Sequence, residues 1–136
     1  MLFLAIVAMM LFLAIALVHF YWAFGGKRGI SVAIPTKNDK ILFSPKKWGT
    51  IGVGIVMLGF TWIIYALCFS EISFATLHGF SWVASGVFTM RAIGDFHVVG
   101  FFKKVKDTAF ARYDTLCYSP LALFFGIIFG LLSYSV

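Results

Sequence analysis

Seven side chains of this 136-residue sequence stand out as able to hold a polar ligand or move a proton: His19, Trp22, Arg91, Asp95, His97, Asp114 and Tyr118. Each sits at or just beyond one end of a long apolar run, and the spacing of those runs carries all seven toward the same side. A histidine, an arginine and paired carboxylates at a membrane boundary could grip a lipid phosphate or a quinone-like head group, or serve as acid and base. A plainer reading competes. Arg91 and Asp95 are four apart, so on a continuous helix they would pair and stabilise its end. That structural pairing takes first place, ligand binding second and catalysis third.

Other chemistries fare worse. His78 falls near the opposite end of its run from His19, a separation of roughly 15 Å or more at helical rise, so the two cannot share one haem iron. His19 and His97 with Asp95 or Asp114 would make a ligand set, but no metal-binding spacing supports it, and neither metal nor cofactor is expected. His78, beside Thr76 and Ser81, reads as a hydrogen-bonded interior residue. Cys68 and Cys117 belong to opposite ends of the bundle, which excludes a disulfide between them, and both read as small buried fillers. No Asp or Glu lies within an apolar run, as a proton-coupled exporter would need.

The elements that must position these groups follow from composition. With 62% hydrophobic and 12% charged residues, a water-soluble domain could not cover itself. Four apolar runs, at about 2–24, 48–69, 72–92 and 119–133, approach the roughly 20 residues that span a bilayer. The expected fold is therefore an all-α polytopic membrane protein, an antiparallel four-helix transmembrane bundle filling residues 1–136 as a single membrane domain. All eleven Lys and Arg fall in or beside two of the three connections. The positive-inside rule makes those basic connections cytoplasmic and puts both termini outside, in the plasma membrane (the inner membrane of a bacterium). The net charge of +6 then reads as topology and contact with anionic head groups, with nucleic acid excluded.

Local signals refine this. The first run continues past Ala14-Ile15-Ala16 with no basic residue before it, so it reads as a retained helix and not a cleaved signal. Gly49, Gly52, Gly54 and Gly59 mark the second run as the central packing helix, in tight contact with the third through Thr76, Ser81, Ser85, Gly86 and Thr89. A tight outer turn is expected at Ser70-Glu71. Ser119-Pro120 looks like an N-cap followed by a first-turn proline. Ile30–Ile34 and Ile41–Phe43 could form a hairpin, and 94–118, alternating Phe with Lys, an interfacial helix or re-entrant elbow. Outward faces rich in Phe and Leu suit lipid, a second copy or a membrane-protein partner equally.

Two long motifs then carry a resemblance. His19-Phe-Tyr-Trp22-Ala-Phe-Gly25-Gly26 with Ala33-Ile34-Pro35-Thr36, and Arg91-Ala-Ile-Gly94-Asp95-Phe96 through Gly100-Phe101-Phe102, Phe110-Ala-Arg112-Tyr-Asp114-Thr115 and Tyr118-Ser119-Pro120, resemble a family of small bacterial four-helix membrane proteins classed as a domain of unknown function. The resemblance covers nearly the whole chain. It implies an architecture and emphasises His19, Trp22, Arg91, Asp95, Asp114 and Tyr118, with no assigned activity, cofactor or partner. The function expected is binding of a lipid-like molecule or a partner at the cytoplasmic polar cluster, with a membrane enzyme or an accessory subunit as the alternatives.

Overall fold

A computed structural model describes residues 1–38, 40–70 and 75–135. In chain order it has α1 (Leu2–Ala23), α2 (Ile30–Ala33), β1 (Thr36–Lys37), β2 (Lys40–Ile41), α3 (Lys47–Phe69), α4 (Ala75–Ile93), α5 (Ala109–Tyr113), a π-helical turn (Asp114–Tyr118) and α6 (Ser119–Ser135). Three of these stretches are long and apolar enough to cross a membrane: Leu2–Ala23, Lys47–Phe69 and the continuous helix Ala109–Tyr134. α4 is not among them, because His78, Arg91 and its Ser and Thr residues dilute its apolar character. Large apolar side chains such as Phe3, Trp48, Trp62, Trp82, Val83, Met90 and Leu116 point outward all around the helices. A surface of that kind is stable against hydrocarbon and not against water.

The helices pack as two pairs, α1 along α3 and α4 along α6, while α3 and α4 hardly touch. The expected tight contact between the second and third runs is thus replaced by pairing within each half. Which glycines receive a neighbour explains why. A Cβ at Gly49, Gly52 or Gly59 would meet nothing within 4 Å, whereas one at Gly54 would strike the Phe20 ring of α1 at 2.8 Å. On α6, a Cβ at Gly126 would lie 2.6 Å from Thr89 Oγ1, and one at Gly130 would lie 3.1 Å from Ser85 Oγ. The small polar face of α4 therefore does pack inward, against a small-xxx-small pair on α6. Ser85 Oγ donates across that seam to the Gly126 carbonyl at 2.7 Å.

Aromatic rings join the two pairs. Fully buried Phe12 of α1 stacks on Phe125 of α6 with centroids 3.8 Å apart and meets Phe60 of α3 at 5.4 Å and Phe88 of α4 at 5.6 Å. All four long helices thus contribute to one ring cluster, with Phe129 at its far side.

Several local expectations change. The hairpin forms, but between Thr36–Lys37 and Lys40–Ile41, pairing Thr36 with Ile41 and Lys37 with Lys40. The β-branched stretch before it is the short helix α2. Residue 39, the turn expected at Glu71 and the first residues of the third run lie outside the described residues. The last helix does not begin at Ser119-Pro120. Thr108 is its N-cap, accepting from the Ala111 N–H at 3.0 Å, and Ser119 itself has helical φ and ψ. Pro120 can neither donate a hydrogen bond nor fit its ring against a tight preceding turn. The helix accommodates it by widening just before: the Ser119 N–H reaches the Asp114 carbonyl, five residues back. Residues 94–108 form the elbow without an interfacial helix.

Candidate functional site

The elbow is built on backbone conformations that the sequence marks with glycine. Gly94 (φ +92) and Gly100 (φ +93) are left-handed and lie against each other, so a Cβ at Gly94 would fall 1.8 Å from the Val99 carbonyl oxygen. Between them Asp95 Oδ1 accepts the N–H groups of His97 (2.8 Å), Val98 (2.8 Å) and Val99 (3.0 Å). Burial alone would push the Asp95 carboxyl up, but the donors of Val99, His97 and Val98 outweigh it and hold the group below the usual carboxylate range. The expected Arg91–Asp95 pair does not form. Gly94 ends the helix before residue 95, and the i, i+4 spacing loses its meaning there.

Arg91 pairs instead with Asp114. Its Nη2 donates to Asp114 Oδ1 at 2.8 Å. Asp114 Oδ2 accepts from the Gly100 N–H at 2.8 Å and from Lys103 Nζ at 3.0 Å. The Lys103 ammonium spends its remaining N–H groups on the Gly100 carbonyl at 2.9 Å and on Thr115 Oγ1. The side chains of Asp114 and Lys103 are 0% and 1% exposed, that of Arg91 36%. This cluster fastens the elbow to the π-helical turn and to the end of α4. Lys103 is the member that sequence reasoning missed, since nothing in Phe101-Phe102-Lys103-Lys104-Val105-Lys106 separates the buried cation from its exposed neighbours.

On the other side of Arg91 lies a cavity of about 490 Å³ between the helix pairs. Four of the seven expected residues line it: His19, Trp22, Arg91 and Tyr118. The rest of the lining is apolar and comes from all four long helices, including Leu11, Met57, Phe88, Leu121 and Phe125. His19 is eight residues beyond Leu11 on α1, about 12 Å at helical rise, so the polar groups gather toward one end. Asp95 and His97 are exposed in the elbow and line neither this cavity nor its neighbour. Asp114 is sealed beneath Arg91. The seven residues therefore divide into a cavity group, a buried ion cluster and an elbow, with Arg91 shared by the first two.

Hydrogen bonding fixes what each lining group can still do. His19 Nδ1 lies 2.8 Å from the Ile15 carbonyl, which can only accept. The proton is therefore on Nδ1, and Nε2 of that tautomer is an acceptor. Trp22 packs edge-on to His19 with centroids 5.3 Å apart and donates its Nε1–H to the Arg28 carbonyl at 2.8 Å. The Tyr118 hydroxyl donates to the Val32 carbonyl at 3.2 Å. The last two bonds tie the first connection down over the cavity. A second cavity of about 480 Å³ adjoins it, shares His19, Trp22, Ala33 and Val53, and is also lined by Lys46 and Lys47.

Among the described residues, two buried side-chain polar atoms have no partner, Arg91 Nη1 and Ser119 Oγ. No three His, Cys, Asp or Glu of the described residues come together as a metal site. Cys68 and Cys117 are free thiols, and Cys117 is exposed on the π-helical turn, not buried as expected. His78 is half-buried and makes no hydrogen bond among the described residues.

Comparison with known proteins adds one finding. A family model described as "Protein of unknown function (DUF3995)" matches residues 12–129. No curated protein and no solved structure matches.

Proposed function

Because the chain belongs to that family of proteins of unknown function, whose description names no activity, we propose a function from the site itself: the protein is a membrane-embedded binding module for an amphipathic, lipid-like molecule. The apolar part of the ligand lies between the helix pairs, and its head group meets His19, Trp22, Arg91 and Tyr118. The observation that carries this reading is the cavity, of about 490 Å³, apolar along its length and polar at one end. That volume falls in the range of about 300 to 1,000 Å³ usual for small-molecule sites.

In this reading the chain crosses the plasma membrane four times with both termini outside. α3 leaves the first basic connection and the helix from Ala109 leaves the second, so α4 must return the chain to the cytoplasmic side. It does so against α6, with Ser81, Ser85 and Thr89 turned away from hydrocarbon. The cations then lie at the cytoplasmic leaflet, where anionic head groups favour them.

The test is native mass spectrometry of protein extracted in mild detergent and stripped in the gas phase. The expected result is a discrete small-molecule adduct that is lost in Ala14→Phe, a substitution at an exposed cavity-lining position that fills the space without touching the polar end. Bare protein, an adduct unaffected by that substitution, or a stoichiometric polypeptide in its place would overturn the reading.

A further inference from the structure

Resting on the binding reading above, we infer that the molecule held in this cavity carries an anionic head group, a carboxylate or a phosphate, and that Arg91 is the residue that recognises it. The donors at the polar end decide the matter. Trp22 Nε1–H is committed to the Arg28 carbonyl and the Tyr118 hydroxyl hydrogen to the Val32 carbonyl. His19 Nδ1–H is committed to Ile15, and Nε2 of that tautomer is an acceptor. Arg91 alone retains uncommitted donors. Its Nη1 is buried with no partner, an arrangement that native proteins avoid unless a further group completes it.

Charge accounting points the same way. Asp114 provides one negative charge between two cations, and both its oxygens are occupied: Oδ1 by Arg91, Oδ2 by Lys103 and the Gly100 N–H. The cluster thus keeps one excess positive charge, and Lys103 cannot present it, being sealed and fully bonded. The excess belongs to the partly exposed guanidinium. Among the described residues no Asp or Glu lines either cavity, while Lys46 and Lys47 line the adjoining one, so the charged side chains described there attract a negative group. A guanidinium beside an apolar slot matches a carboxylate or phosphate with two parallel N–H bonds, which an ammonium cannot copy.

The experiment is a binding titration by native mass spectrometry in neutral maltoside micelles, using dodecanoate, dodecyl phosphate and dodecanol as probes of equal chain length. Both anions are expected to bind the wild type about tenfold or more tighter than the alcohol, the worth of a charge-assisted hydrogen bond. Arg91→Gln should erase the preference while dodecanol binding remains. Arg91→Lys, which keeps the charge and the contact with Asp114, should restore part of it, and Lys104→Gln on the surface should leave it intact. Equal binding of all three probes by the wild type, or a preference that survives Arg91→Gln, would overturn the anionic assignment and leave the cavity standing. A preference lost equally in Lys104→Gln would do the same, by tracing it to surface charge. Inorganic phosphate is expected not to displace dodecyl phosphate; displacement would assign the site to a water-soluble anion. Failure of every probe to bind, or binding unaffected by Ala14→Phe, would remove the cavity reading itself and this inference with it.

Discussion

Replacing Asp114 by Asn keeps the shape of the side chain and removes its charge, which tests the buried ion cluster directly. In the wild type the carboxylate accepts three hydrogen bonds, from Arg91 at 2.8 Å, Gly100 at 2.8 Å and Lys103 at 3.0 Å. Lys103, at 1% exposure, has no water to turn to when the counter-charge disappears. An uncompensated buried charge of this kind costs about 3–5 kcal/mol. Arg91 can swing its exposed portion toward solvent and adds little to the loss. Lys103→Met should cost less than Asp114→Asn, because Arg91 still faces the carboxylate. The double variant removes both buried charges, so its loss should fall short of the sum of the single losses by about 1–3 kcal/mol. The assay is reversible unfolding in mixed micelles titrated with SDS, followed by far-ultraviolet circular dichroism, for the wild type and the three variants. Additive single losses, or an Asp114→Asn cost under about 1 kcal/mol, would refute the claim that these two charges compensate each other.

Gly126→Ala should destabilise the protein by about 1–3 kcal/mol in the same assay, since its Cβ would press on Thr89 and on the Ser85 carbonyl. Gly52→Ala, with nothing within 4 Å, should be neutral or stabilising by up to about 1 kcal/mol. For Asp95 the folded pKa is depressed, so its contribution is fully present above the unfolded value of about 3.9 and is lost as pH falls through the folded value. Asp95→Asn should therefore flatten the acid limb of a stability profile taken from about pH 6 to about pH 2, and an unchanged limb would count against the three-donor cradle. Tyr118→Phe removes the bond to Val32, worth about 1 kcal/mol, and should speed amide exchange in 30–34 about fivefold by hydrogen–deuterium exchange.

Much of the frame was legible before any coordinates. The apolar runs at about 2–24 and 48–69 coincide within a residue or two with the helices Leu2–Ala23 and Lys47–Phe69, because long uniform apolar runs leave little choice of boundary. Helix pairing was not legible. Gly54 meets Phe20 and Gly52 meets nothing, and residue type alone does not say which glycine a neighbour approaches. Gly126 and Gly130, which receive α4, are inconspicuous inside their Phe- and Leu-rich run. Ser119-Pro120 carries a sound capping signature, yet Thr108 begins a helix eleven residues earlier, and the π-helical turn lets it pass through the proline.

The site was half legible for a related reason. His19, Trp22, Arg91 and Tyr118 come together because each lies near the same end of its apolar run, which counting along the sequence reveals. The partner of Arg91 does not follow from spacing. Asp95 is nearer in sequence, but Gly94 at φ +92 turns the chain away, and Asp114, 23 residues on, takes its place. Lys103 shares the elbow's run of cations and gives no sign of being the buried one.

The packing of α1 with α3 and of α4 with α6 makes each half of the molecule continuous in sequence. During synthesis the amino-terminal hairpin has its whole partner surface, Gly54 against Phe20 included, before the second half has left the ribosome. Each hairpin can therefore mature as a unit, with little long-range search. The last step of assembly is then the closing of the phenylalanine rings of the carboxyl-terminal hairpin onto Phe12 and Phe60, and the cavity comes into being at that moment, as the product of docking and not of either half alone.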